Sequence, residues 1–179
     1  MKHKVIGRQP NSRRCFVCGL ENRYGLKSRF YELDNREIVA LFTPVDEHQS
    51  YPGRLHGGIA AAILDETIGR AALNHQDTEL WGVTIEFSMK FRQPVPLDQE
   101  IKVVARVTGE NKRSFTGSGE IVLADGGIAV EGSGRYLKMA LSSVTDLDFK
   151  EAEWRVVEQD DDDPLEVDCP GHHRSGNPA

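Results

Sequence analysis

The sequence predicts an α+β domain in which an antiparallel β-sheet bends around one long buried helix. Three observations carry that prediction. A single long segment, 56 to about 74, has helical periodicity, and near its start it is apolar round most of its circumference, which places it inside the molecule. The alternating segments on either side of it are joined by short polar turns, a pattern of antiparallel pairing. Gly117, Gly119, Gly132 and Gly134 lie inside two of those strands at two-residue spacing. Glycine inside a strand marks close backbone approach or bending, and the buried helix is the object for the sheet to bend around.

The elements follow in chain order. Residues 1–27 are basic, with Pro10, Gly19 and Gly25, and read as an irregular arm carrying a Cys-x-x-Cys. Segments 28–33 and 37–43 form a hairpin across the Asp34-Asn35 turn. A loop over 44–53 ends in Pro52-Gly53 and leads into the helix. Strands follow over 79–92, 101–108, 114–123 and 128–139. In the first of these, Val83, Ile85, Phe87, Met89 and Phe91 share a period of two. A short helix over 147–157 carries Trp154, and the remainder from 164 reads as linker. The chain thus divides into an arm (1–27), the sheet-and-helix domain (28–141) and an acidic C-terminal extension (142–179).

Charge is unevenly spread over this plan. The 179 residues carry a formal net charge of −6. The extension holds 11 acids and 3 bases, a net of −8, and the other 141 residues are +2. A mildly basic body with an acidic tail is not the footprint of a nucleic-acid binder. The longest apolar run, 59–64, is far too short to span a membrane. The basic start has no apolar core of a secretory signal, and three cysteines make no disulfide framework. A cytoplasmic location is the expectation.

Chemistry concentrates in the segment Leu55-His56-Gly57-Gly58 through Asp65-Glu66. Glycines at a helix start let unpaired backbone N–H groups approach an anion or the oxyanion of an attacked carbonyl. Asp65 falls in the most apolar stretch of the helix, where a carboxylate has a partner or a task. Glu66 points about 100° away round the helix and serves another face. Gly57 and Asp65 are eight residues apart, ~12 Å along the axis, whereas an oxyanion donor and a base must both lie about 3 Å from the reacting centre. If both are catalytic, Gly57 of one subunit must meet Asp65 of another.

The sequence at this point resembles the hotdog-fold acyl-CoA thioesterases of the phenylacetic-acid-degradation type. The resemblance runs over about 13–139. It rests on Cys15-Phe16-Val17-Cys18-Gly19 with Tyr24-Gly25-Leu26, Pro52-Gly53 before His56-Gly57-Gly58, and Asp65 nine residues after the His. Gly82-Val83-Thr84-Ile85-Glu86-Phe87 and Phe91-Arg92-Gln93-Pro94-Val95-Pro96 complete it. It implies a hotdog fold paired into homodimers or homotetramers and the hydrolysis of acyl-CoA to free acid and CoA. It also implies an oxyanion donor at Gly57 N–H, a general base or nucleophile at Asp65 of the partner subunit, and a supporting hydroxyl at Thr84. His56 joins the catalytic candidates, and Gly58, Ser50 and Gln49 the substrate-binding ones. Ser50 stands where the family often has an amide, with Gln49 beside it. No cofactor is needed. Lys90, Arg92, Lys112, Arg113 and Arg135 are the bases available to CoA phosphates, with none singled out. A non-catalytic acyl-CoA-binding sensor of the same fold is the alternative, and it has no need of Asp65.

The cysteines suggest a structural zinc. Cys15-x-x-Cys18 has knuckle spacing, and Cys169-Pro170-Gly171-His172 stands near the other end. Together Cys15, Cys18, Cys169 and His172 would make a closed Cys₃His site, stapling the extension to the arm.

Overall fold

The structure, a computed structural model, describes residues 1–73, 80–144, 154–157 and 163–170. Its strands are β1 (Lys2–Arg8), β2 (Asn11–Ser12), β3 (Arg29–Leu33), β4 (Ile38–Phe42), β5 (Leu80–Phe91), β6 (Ile101–Glu110), β7 (Ser114–Val122), β8 (Ile128–Ala140), β9 (Trp154–Arg155) and β10 (Glu166–Asp168), with the helix α1 (Gly57–Arg70) between β4 and β5. Eight strands form one antiparallel sheet in the order β10-β1-β3-β4-β6-β7-β8-β5, and β2 pairs with β9 apart from it.

The sheet wraps α1 as the sequence predicts. Ala60, Ile63, Leu64, Thr67 and Ile68 are the buried stripe of the helix, spaced i, i+3, i+4, i+7, i+8 as one helical face demands. Ala60, Ile63, Leu64 and Ile68 join Phe30, Ala40, Val103, Phe115, Ile121 and Val130 in the main core. The four strand glycines are cross-strand partners, Gly117 with Gly134 and Gly119 with Gly132. A methyl group at Gly117 would stand 2.6 Å from Ile68 Cγ2, so a side chain there would push the helix off the sheet.

The arm and the extension depart from expectation. The arm is not irregular throughout, because β1 pairs antiparallel with β3 and carries the last strand, β10, on its other edge. The linker expected from 164 therefore contains a strand. Val167 and Cys169 pack with Tyr31, Leu33, Val39, Leu41, Val104 and Val122 in a second apolar cluster. Asp163 anchors this segment. Its buried carboxylate lies 2.7 Å from Arg8 Nη1 and accepts the Tyr31 hydroxyl hydrogen. Of the helix expected over 147–157, residues 147–153 lie outside the described residues, and Trp154–Arg155 is strand, paired with Asn11–Ser12.

The period of two expected along β5 is also broken. The ladder to β8 pairs Thr84 with Tyr136 and Glu86 with Arg135, leaving Ile85 as a one-residue bulge. Gly82 and Thr84 before the bulge, and Phe87 and Met89 after it, all face the helix. Ile85 stands outward at 47% exposure, and Val83 belongs to the outer face with it.

Candidate active site

His56 is the N-cap of α1. Its Nδ1 accepts the Gly58 N–H at 2.9 Å, and its carbonyl accepts from Ile59 and Ala60. An acceptor at Nδ1 puts the proton of the neutral ring on Nε2. His56 thus caps the helix, and it engages the N–H of Gly58 that the sequence offers to substrate. Gly57 N–H has no hydrogen bond among the described residues. It is the first helical N–H, at the positive end of the dipole.

His48, which the sequence reading does not single out, fixes this helix start. It is buried, accepts Val45 N–H at Nδ1 (3.1 Å), and holds Nε2 3.0 Å from the Tyr24 carbonyl oxygen. Its own carbonyl accepts the His56 N–H at 2.9 Å. One residue, through its ring and its carbonyl, therefore ties the arm to the residue that caps α1. Gln49 and Ser50 spend their side chains inside the adjoining loop, Gln49 Oε1 on Gly53 N–H (3.2 Å) and Ser50 Oγ on Tyr51 N–H (2.6 Å).

Asp65 is half-buried on the side of α1 that meets β5 and β8. Thr84 Oγ1 donates to its Oδ1 at 2.9 Å, and the Tyr136 hydroxyl lies 3.1 Å from the same oxygen. No hydrogen bond reaches Oδ2 among the described residues. Burial raises the Asp65 pKa, and nearby Glu66 adds to the rise, while the Thr84 and Tyr136 hydrogen bonds hold it back. The Asp65–Thr84 pairing expected from the sequence is present. Tyr136 is the residue that reading missed, because it sits in an ordinary alternating strand with no sequence signal. Burial and the Asp65 carboxylate push the Tyr136 phenol strongly upward, so it stays a donor.

Glu66 serves another face, as expected. It binds Arg70 Nε at 2.8 Å and lies among Cys15 and Cys18. The four-ligand zinc set is not brought together. Cys15 and Cys18 adjoin the main core, Cys169 packs in the second cluster, and His172 lies outside the described residues. Of the bases considered for phosphates, Arg92 pairs with Glu131 (2.8 Å) and Arg135 with Glu86 (3.2 Å).

The Asp65 site is open, on the edge strand β5, with Thr84 exposed. A cleft of about 910 Å³ lies at the C-terminal end of α1, beside Arg70 and Arg106, and no candidate residue lines it. No helix among the described residues is long and apolar enough to cross a membrane.

Residues 52–130 match the family model of the thioesterase superfamily. Acyl-coenzyme A thioesterase THEM4 of Mus musculus is 29% identical over 96 residues, which is 54% of this chain and 39% of that protein. THEM4 of Rattus norvegicus is 31% identical over 83 residues, 46% of this chain and 34% of that protein. The chain thus spans less than two fifths of these curated relatives. A crystal structure described as a thioesterase superfamily protein superposes with a TM-score of 0.62 and 27% identity, over 69% of this chain and 63% of that one. PaaI of E. coli, from the phenylacetic acid degradation operon, superposes with a TM-score of 0.57 at 18% identity, over 64% of this chain and 80% of that one. The wrapped helix and the sheet order are those of the hotdog fold, and residues 52–130 within it match the thioesterase-superfamily model.

Proposed function

We propose that the protein hydrolyses acyl-CoA thioesters to a free acid and CoA, in a site built across two copies of the chain. The observation that carries the reading is the Asp65 carboxylate, held at Oδ1 by Thr84 and Tyr136 and with no hydrogen bond at Oδ2 among the described residues. A pure binder of acyl groups has no use for a half-buried carboxylate aimed at an open edge.

Gly57 and Asp65 cannot serve one carbonyl from the same helix. A two-fold axis beside β5 brings Gly57 of one copy to Asp65 of the other. β5 supports that arrangement. It is a twelve-residue edge strand with Ile85 and Phe91 47% and 59% exposed, and such an edge in a folded protein is normally covered. Gly57 N–H then receives the developing oxyanion. Asp65 Oδ2 takes the proton of the attacking water, or attacks the carbonyl itself. By the first route that proton passes to the departing thiolate as the tetrahedral species collapses. By the second the thiolate leaves an acyl-Asp65 anhydride, which water hydrolyses to the acid and free Asp65, the proton of the water going to the thiolate. A body charge of +2 admits the anionic carrier.

The test is a panel of acyl-CoA and acyl-carrier-protein thioesters assayed by release of thiol. Turnover of CoA esters supports the reading, and binding of acyl-CoA without release would replace it with the sensor.

A further inference from the structure

We infer that Cys15, Cys18 and Glu66 form a binding site for one thiophilic divalent cation, zinc foremost. The two thiol sulfurs and a carboxylate oxygen all lie within 4.8 Å of one another. Around a tetrahedral zinc, bonds of ~2.3 Å to sulfur and ~2.1 Å to oxygen set donors about 3.5–3.8 Å apart. The ligand atoms therefore close onto an ion with side-chain adjustments of about an ångström.

The backbone is already shaped for it. Gly19 N–H donates to the Cys15 carbonyl at 2.9 Å, closing a tight turn. A Cβ at Gly19 would fall 2.3 Å from that oxygen, so only glycine permits the turn. Val17 N–H donates to Cys15 Sγ at 3.3 Å. Ser12 Oγ accepts Cys15 N–H at 3.0 Å and lies 3.5 Å from Cys18 Sγ, which leaves its own hydrogen free for a Cys18 thiolate. Such bonds to ligand sulfurs orient them and tune the site. On the helix side, Arg70 holds one oxygen of Glu66 and is itself buried, with Nη1 on the Pro10 carbonyl.

Charge decides between a cation site and a simple dithiol. Two thiolates and Glu66 against Arg70 sum to −2, which one divalent ion cancels. A disulfide between Cys15 and Cys18 would gain nothing from a carboxylate, and Glu66 would oppose its thiolate, whereas a metal gains a ligand. Cys18 is fully buried and Cys15 partly exposed, so the fourth position opens toward solvent and takes water. This three-ligand set replaces the Cys₃His site expected from the sequence. It clamps the arm to α1 one residue from Asp65.

The experiment uses the full chain, reduced and stripped with a chelator, titrated anaerobically with cobalt(II) and then with zinc(II) in competition. One cobalt per chain should bind with a sulfur-to-metal charge-transfer band, displaced by zinc. Cys15→Ser and Cys18→Ser should abolish the band. Glu66→Gln should weaken affinity by about tenfold or more, and Cys169→Ser should change nothing. The inference is overturned by a wild-type protein without the band, by a band surviving both serine variants, or by undiminished affinity in Glu66→Gln. Formation of the Cys15–Cys18 disulfide in air despite excess zinc overturns it too. Should a serine variant fail to fold, Glu66→Gln and Cys169→Ser still decide.

Discussion

Tyr136 reaches Asp65 twice, its hydroxyl 3.1 Å from Oδ1 and 3.2 Å from the backbone carbonyl oxygen. The ring that carries this hydroxyl is stacked on Phe115, centroids 4.9 Å apart and planes 9° from parallel. The carboxylate is therefore aimed by a side chain that cannot swing. In Tyr136→Phe and in Thr84→Ala, a bond that lowers the Asp65 pKa is lost. The pKa should rise further, and the acid limb of kcat/KM should move to higher pH in both variants. An unmoved limb would separate Asp65 from the titrating base.

Asp65→Asn should reduce turnover by about 10²–10⁴-fold, the range for loss of a positioned general base. Stability should go the other way. A carboxylate whose folded pKa is raised is a net cost once ionised, present above that pKa and relieved as pH falls through it. The amide removes the charge and keeps an oxygen for Thr84 and Tyr136. The variant's thermal midpoint at neutral pH should equal or exceed that of the parent, with the difference vanishing in acid.

Gly57→Pro deletes the N–H proposed to receive the oxyanion, at the first helical position, where proline is structurally tolerated. Alone it should cost roughly 10²–10³-fold in kcat. Mixed and reassembled with Asp65→Asn, it should recover about a quarter of parental activity, because half the dimers are mixed and each mixed two-fold dimer has one intact site. No recovery on mixing would place both groups in one chain.

Asp163→Ala removes the buried carboxylate that the largely buried Arg8 side chain and the Tyr31 hydroxyl share. Breaking such a pair costs about 3 kcal/mol, or roughly 6–12 °C in midpoint for a chain of this size. Thiol-release kinetics should be untouched, since Asp163 lies with β1 and β3, away from Asp65. Calorimetry alongside the thioester assay separates the two effects.

The helix and its surroundings were legible because their signals are local. The buried stripe from Ala60 to Ile68 is a period, the capping His56 and the glycines are a junction, and Asp65 is a charge in an apolar run. The glycine pairs were legible as bending, and they proved to face one another, three of the four against Ile68. What escaped is pairing at long range. β1 has only Val5 and Ile6 as apolar residues, and its partner strand β10 begins more than 150 residues later. Neither could register as a strand alone. Tyr136 and His48 escaped for a related reason, since each acts through hydrogen bonds to a distant segment. The zinc expectation failed at Cys169, whose small apolar side chain belongs to the core it packs in.

The bulge at Ile85 makes β5 unequally tolerant of changes in length. Removing Ile85 would leave Thr84 opposite Tyr136 and Glu86 opposite Arg135, with both halves of the strand still facing α1 as they do now. Removing Thr84 instead would take away the hydroxyl on Asp65, and removing Phe87 or Met89 would turn the residues on one side of the gap to the opposite face. A one-residue deletion at the bulge therefore costs the carboxylate nothing, and it falls on the residue that projects outward at the open edge.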